Sequence, residues 1–214
     1  MTSAVSTTLT LAAVETAMRG RLRSSLVPET AMPRTAAVYA LFADHGEGAA
    51  ITLIRRSENV SQHRGEYAFP GGGVEPEDEN LHATALREVI EELGVSGADV
   101  EPWGELNPEL TVTSGYLVVP FTGRLSSRAK FNPERREVAE VVHIPLAALT
   151  DPAGARTISR LVPANGTPEQ NGARDGRRGP LELRTYGAYA YNGRIIWGAT
   201  ARILAQVVSI LKAA

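Results

Sequence analysis

Glu88, Glu91 and Glu92 stand at positions i, i+3 and i+4 of one another. Each residue of an α-helix turns by about 100°, so in a helix these three carboxylates share a face. Leu86, Ile90 and Leu93 fall on the opposite side, which gives such a helix an aliphatic face to bury. Carboxylates this close raise one another's pKa and weaken the bare helix. They also sit near its C-terminal end, where the helix dipole disfavours negative charge. A cation relieves both costs. Mg²⁺ is a hard ion that takes oxygen ligands and keeps several waters for phosphates to replace, so the pattern points to metal-assisted chemistry on a phosphate group. Upstream, Phe69-Pro70 leads into Gly71-Gly72-Gly73, a turn without β-carbons that lets backbone approach a ligand closely. A run of Glu on a helix is by itself most often a solvated face. The glycine turn, a second acid, an Arg-Glu pair and a glycine cap at fixed spacing set this one apart, and a locally broken rule of this kind is a mark of function.

The elements that must position these residues follow from periodicity. Leu11, Val14, Met18 and Leu22 recur at helical spacing and predict an amphipathic helix between Leu9 and Leu26. Val27-Pro28 and Met32-Pro33 punctuate the link after it. Ala36 to Phe42 and Ala49 to Arg55 predict two strands joined by a turn from Asp44 to Gly48. Tyr67-Ala68-Phe69 is a short apolar piece stopped by Pro70. Leu81 to Leu93 predicts a helix closed by Gly94. Val100 to Gly104, Tyr116 to Thr122 and Val138 to Ile144 predict further strands. Leu161 to Gly179 is rich in Gly, Pro, Asn and Arg and predicts a long surface loop. Leu181 to Tyr191 and Arg194 to Trp197 predict a hairpin about Asn192-Gly193, and Ala199 to Leu211 a closing helix. Strands interspersed with helices, without internal repeats, predict one α/β domain over residues 31–214, with residues 1–30 as an N-terminal helical extension and 161–180 as a flexible loop.

Gly73-x5-Glu79-x7-Arg87-Glu88-Val89-x-Glu91-Glu92-x-Gly94-Val95 resembles the Nudix box, Gx5Ex7REUxEExGU with U aliphatic, at every fixed position. A second register starts at Gly72, takes Asp78 as the second acid and holds one extra residue; Phe69-Pro70-Gly71-Gly72, a common entry to the box, favours it. The two registers differ in whether Glu79 or Asp78 pairs with Arg87 and leave the three glutamates untouched. The resemblance implies the Nudix fold, an α/β/α sandwich with a mixed β-sheet, and hydrolysis of a nucleoside diphosphate linked to another moiety, with Mg²⁺ or Mn²⁺ as cofactor. The flanking residues look like the coenzyme A pyrophosphatase branch, whose signature is LLTxR(S/A)x3Rx3Gx3FPGG. Arg56, Ser57, Gly65, Phe69, Pro70, Gly71 and Gly72 match it, while Ile54 stands in place of Thr and Ser61 in place of Arg. Thr113-Ser114-Gly115-Tyr116, Glu137-Val138, Ile144-Pro145-Leu146 and Trp197-Gly198-Ala199-Thr200-Ala201 also look like that branch.

By this resemblance Glu88 and Glu92 are metal ligands, Glu91 is a third ligand or the base, and the Gly72 carbonyl completes a metal shell. Arg87 joins Glu88 and Glu91 in the catalytic set by orienting Glu88 or pairing with Glu79. Arg56, Gly71 and Gly72 are expected at the substrate, Arg56 on a phosphate. Glu137 is either an extra ligand or base, or a solvent-facing residue at a strand start. His63 reads as a loop histidine, Tyr116 and Trp197 as core, and Arg174 to Arg178 as a lid over an anionic substrate or a disordered insertion. With coenzyme A or an acyl derivative the products are 3′,5′-ADP and 4′-phosphopantetheine or its acyl form. ADP-ribose and NADH are the alternative substrates. A non-catalytic nucleotide-sensing module is the alternative class, one that commonly loses box acids this chain keeps.

Composition bounds the rest. Of 214 residues, 43% are apolar, enough for a sizeable core. The 22 Lys+Arg against 24 Asp+Glu give a net charge of −2, which argues against bulk nucleic-acid binding but not against a nucleotide ligand. The absence of cysteine excludes disulfides, zinc–thiolate sites and a cysteine nucleophile. No apolar run has the length of a membrane helix, and the N-terminus shows no apolar core followed by a cleavage site. The expectation is a cytoplasmic enzyme acting on a small-molecule nucleotide, without nucleic-acid or membrane partners, with a homodimer contact through the N-terminal helix as one option.

Overall fold

The first apolar run becomes the middle of a mixed sheet. A computed structural model describes residues 9–20, 34–46, 48–59, 63–111, 115–163 and 181–214. Helix α1 spans Leu11–Arg19, with the Thr10 hydroxyl capping the amide of Ala13. Strands β1 (Thr35–Asp44), β2 (Ala49–Arg56), β3 (Tyr67–Ala68) and β4 (Gly71–Gly73) precede α2 (Leu81–Leu93). Then come β5 (Val100–Glu105), β6 (Glu109–Leu110), β7 (Leu117–Leu125), β8 (Val138–Pro145) and the short α3 (Leu146–Thr150). The chain closes with β9 (Ala155–Pro163), β10 (Leu181–Tyr191), β11 (Arg194–Ile196) and α4 (Gly198–Lys212).

β1 pairs in parallel with β7 and antiparallel with β2 and β4. β2 extends the sheet to β3 and β8, and β7 extends it to β5 and β6. Because strand side chains alternate, β1 feeds two cores. Ala37, Tyr39, Leu41 and Ala43 pack under α2 against Ala85, Val89 and Leu93. Ala40 and Phe42 pack on the other side with Val14 and Met18 of α1 and Ile203, Leu204, Val207 and Val208 of α4. This is the mixed sheet between helical layers that the sequence predicts. β9, β10 and β11 form a separate three-stranded antiparallel sheet. Its β10–β11 turn falls at Asn192-Gly193, with φ of 46° and 77°, the left-handed values of a tight hairpin turn.

Three expectations need correction. The composition from Leu161 predicts a loop, but Leu161, Val162 and Pro163 continue β9 and pair with Leu183, Glu182 and Leu181. Residues 164–180 lie outside the described residues, as do 21–33, Ser61 and Thr113-Ser114. Secondly, the face α2 buries is not Leu86, Ile90 and Leu93. Its buried residues are Thr84, Ala85, Val89, Glu92 and Leu93, while Ile90 is 41% exposed. Small Ala85 and β-branched Val89 let the helix lie close on the sheet. Ile90 and Leu86 instead lean towards Gly97. Thirdly, Trp197 lies on the wall of a cleft, as described below.

Candidate active site

The site is built on glycine strand β4. Gly71, Gly72 and Gly73 pair with Val38, Ala37 and Ala36 of β1, and Gly71 has a φ of 152°. A β-carbon on Gly71 would lie 2.5 Å from the Val38 Cα, so only glycine fits there. A β-carbon on Gly72 would lie 2.6 Å from the Glu88 Cδ: the space a side chain would fill is taken by a carboxylate from α2. Close approach of β4 to α2 also lets the Gly71 amide donate to Glu92 Oε2 at 2.9 Å.

Helix α2 is fixed at both ends. The Asn80 side chain accepts from the Ala83 amide at 2.9 Å, a standard N-cap. Gly94 closes the helix in the left-handed conformation, its amide donating to the Ile90 carbonyl at 2.9 Å. The loop between β4 and α2 is tied down by Arg87. Its Nε and Nη2 donate to Asp78 Oδ1 and Oδ2 at 3.0 and 3.1 Å, and Nη2 also donates to the Gly73 carbonyl at 3.1 Å. Nη1 reaches Glu88 Oε1 at 3.0 Å and Glu91 Oε2 at 3.1 Å. Asp78 also receives the Glu75 amide and the Thr84 hydroxyl. The Arg87 guanidinium beside it holds its carboxyl down at about 2. Arg87 therefore pairs with Asp78, not Glu79, which is exposed. The geometry is that of the register beginning at Gly72.

The acids differ sharply in environment. Glu92 is 2% exposed, and burial pushes its carboxyl up to about 8. The Gly71 amide and the charge of Arg56 pull it down, while those of Glu88 and Glu137 push it up. Burial likewise raises Glu88, against the pull of Arg87. Glu137 contributes to raising both, so this residue just before β8 joins the cluster through its field. Glu91 is turned outward, its side chain 58% exposed and held by Arg87. Arg56, at the end of β2, brings Nη1 to 3.8 Å from Glu92 Oε1, and its buried Nε finds no hydrogen-bond partner among the described residues. Ser57 explains its place in the motif. Its hydroxyl donates to the Arg136 carbonyl and its amide to the Glu137 carbonyl, fastening the segment that carries Glu137 to the end of β2.

A buried and a half-buried carboxylate in an all-oxygen setting suit a hard divalent cation, which would offset the cost of ionising them. Among the described residues no three acidic or imidazole groups already converge at ligating distance. Mg²⁺ is commonly held by one or two carboxylates plus substrate phosphates, and Glu88 and Glu92 beside Gly72 are the residues that could hold it.

Arg56 and Gly71 also border a cleft of about 200 Å³ on the α4 side of the sheet. Its walls include Tyr67, Phe69, Tyr186, Trp197, Thr200 and Arg202. Trp197, expected in the core, is half-buried, because it lies between β11 and α4 on the cleft wall. Tyr186 and Arg202 have no signal in the sequence, since only the pairing of β9 with β10 and the packing of α4 bring them to the cleft. His63 also borders it, its Nδ1 2.9 Å from Glu66 Oε2, which fits a loop-ordering role. Tyr116 packs at the edge of the core as expected.

Known proteins resemble this chain in sequence. The NUDIX domain family matches residues 32–164. The Nudix hydrolase NudL of Yersinia enterocolitica, itself described as uncharacterized, is 36% identical over 163 residues, or 75% of this chain and 74% of that protein. NudL of Yersinia pestis is also 36% identical over 163 residues, covering 75% and 73%. Among solved structures, a NUDIX hydrolase from Alicyclobacillus acidocaldarius aligns with a TM-score of 0.49 at 16% identity, over 84% of this chain and 93% of that one. The chain is an enzyme of the Nudix hydrolase family.

Proposed function

We propose that this pyrophosphohydrolase cleaves the diphosphate of coenzyme A or an acyl derivative, releasing 3′,5′-ADP and 4′-phosphopantetheine or its acyl form. The observation that carries the reading is the placement of half-buried Glu88 and buried Glu92 against the glycine strand, with Arg56 and the cleft beside them, in a chain whose flanking residues resemble the coenzyme A branch. Glu88 and Glu92 would hold Mg²⁺ or Mn²⁺, with the Gly72 carbonyl completing the shell; such an ion neutralises phosphate charge and acidifies water. Arg56 binds a non-bridging phosphate oxygen, and Gly71 and Gly72 let the diphosphate lie against backbone. A water oxygen adds to one phosphorus, the bridging P–O bond breaks, and its electron pair leaves with the other phosphate. Glu137 takes the water's proton in this arrangement, because the Glu91 side chain is turned outward and 58% exposed. Arg87 acts as a positioning residue, setting Glu88 against β4.

Ser61, where the branch signature has Arg, favours a second reading in which ADP-ribose or NADH is the substrate. The test is incubation of the protein and its Glu92→Gln variant with Mg²⁺ or Mn²⁺ and, separately, coenzyme A, ADP-ribose and NADH, with products identified by mass spectrometry. Release of 3′,5′-ADP by the native protein alone is the expected result. Cleavage of ADP-ribose or NADH instead moves the specificity to the second reading, and no cleavage of any member of the panel overturns the coenzyme A assignment.

A further inference from the structure

The second sheet, which the diphosphate chemistry does not use, faces the cleft with charge. In the β9–β10 pairing Arg160 stands directly opposite Arg184, and Ile158 opposite Tyr186. Residues two apart on a strand share a face, so Ile158, Arg160, Arg184 and Tyr186 all lie on one face of this ribbon. That face is the one turned to the cleft: Tyr186 is part of its wall, and the Arg160 guanidinium carbon sits 4.0 Å from the centroid of the Trp197 ring. Tyr186 meets the same indole edge-on, with centroids 5.9 Å apart.

Directly opposed like charges destabilise a strand pair. Arg184 is compensated by Glu182, but Arg160 approaches Glu66 only to 3.9 Å, beyond hydrogen-bond length. Glu66 is itself engaged by His63. The Arg160 guanidinium carbon lies over the Trp197 ring, and a guanidinium is a planar fork of N–H donors suited to phosphate. Both arginines remain well exposed, at 49% and 39% of their side-chain surface. The cleft, about 200 Å³, is smaller than the ~300–1,000 Å³ that takes a whole small ligand. It therefore holds one moiety of a substrate whose diphosphate lies at Arg56 and Gly71.

We infer, building on the function proposed above, that Arg160 with Trp197 and Tyr186 forms a subsite for the nucleoside end of the substrate, in which the aromatic rings take the base and Arg160 binds a phosphate monoester carried on the ribose. The subsite is a specificity element: it favours a nucleotide bearing a second, ribose-borne phosphate over one without it.

Binding can be read without hydrolysis, because Trp197 reports on the cleft while the other tryptophan, Trp103, is buried and stacked on Phe42. Tryptophan fluorescence is titrated with adenosine 3′,5′-bisphosphate, 5′-AMP and inorganic phosphate, and Trp197→Phe identifies the Trp197 signal. The bisphosphate is expected to bind about tenfold more tightly than 5′-AMP, the scale of one charge-assisted hydrogen-bond pair. Arg160→Ala should abolish that ratio and Arg160→Lys should keep part of it, with thermal melts confirming that both are folded. Equal affinities for the two nucleotides in the native protein overturn the subsite. So does an Arg160→Ala variant that keeps the full ratio, or inorganic phosphate binding as tightly as the bisphosphate. Discrimination in favour of the bisphosphate without cleavage of coenzyme A sustains the subsite and refutes only the coenzyme A assignment.

Discussion

The Gly71 amide donates to Glu92 Oε2 at 2.9 Å, so the most deeply buried acid of α2 is held by the backbone of the strand beneath it. That bond opposes, and does not overcome, the burial that raises Glu92 to about 8 from an ordinary 4.5. The consequence for metal-free protein has a definite sign. Between pH ~4.5 and ~8 the folded chain keeps a proton that the unfolded chain has released, so stability falls as pH rises through that window. Glu92→Gln removes this titration. Thermal melts in EDTA from pH 5 to 8 should show the native midpoint dropping relative to the variant, with the variant the more stable at pH 8. Parallel curves would refute this. In activity the order reverses: on the metal role proposed for Glu92, its loss forfeits several kcal/mol of transition-state stabilisation, and Glu92→Gln should be at least ~100-fold slower.

Neighbouring glycines should respond differently to one added methyl group. On Gly72 the new β-carbon meets only the end of the Glu88 side chain, which can swing away. Gly72→Ala is expected to fold and melt close to the native protein but to lose about 100-fold in kcat/KM, the scale of a 1 Å misplacement of a reacting group. On Gly71 the β-carbon meets the Ala37 carbonyl and Val38 Cα at a φ of 152°. Gly71→Ala should therefore lose about 1–3 kcal/mol of stability or more, read from urea denaturation. A Gly72→Ala enzyme with full activity would show that Glu88 is not needed where the structure places it.

Asp78 and Glu79 are adjacent acids with opposite expected behaviour. Asp78→Asn removes the bidentate partner of Arg87 and should cost about 1.5–3 kcal/mol, the range for hydrogen bonds to charged groups. Glu79→Gln, at an exposed position, should stay within about 0.5 kcal/mol of native. The pH dependence carries the same assignment. Because the folded-state pKa of Asp78 is lowered to about 2 from 3.8, its contribution is full above ~3.8 and is lost as pH falls towards 2. Acid titrations monitored by circular dichroism should show that this part of the acid limb is missing from Asp78→Asn and retained in Glu79→Gln.

Much of this architecture is local and therefore legible in the sequence. The bounds of α2 follow from its apolar period and from Gly94, and the β10–β11 hairpin follows from Asn192-Gly193. What the sequence conceals depends on contacts made across the fold. Taking Ala85 as the origin and about 100° per residue, the buried arc of α2 runs from Glu92 through Ala85 and Val89 to Leu93. Hydrophobicity alone selects Leu86 and Ile90, because it carries no information on how closely a glycine strand can approach. Glu92 is buried for the same reason, although its type argues for solvent. The strand character of Ala155 to Arg160 is hidden by exposed, polar residues whose pairing partner lies beyond residues 164–180. The cleft position of Trp197 depends on where that partner strand crosses.

The N-terminal helix offers a test of how far the folding unit extends. Val14 and Met18 of α1 are fully buried, in one cluster with Phe42, Trp103 and Val207, and Arg19 reaches Glu101 of β5 at 2.7 Å. A helix appended to a self-sufficient domain would give up little on truncation of a single side chain. Here Met18→Ala removes a side chain with no exposure from a core shared by α1, β1 and α4, leaving a cavity the surrounding helices can only partly close. The expected loss is about 2–5 kcal/mol, measured by urea denaturation with an unchanged slope. The exposed Ala12→Ser on the same helix should cost only a few tenths of that range, consistent with helix propensity alone. A Met18→Ala protein as stable as native would mean that α1 is an extension of the domain and not a part of its core.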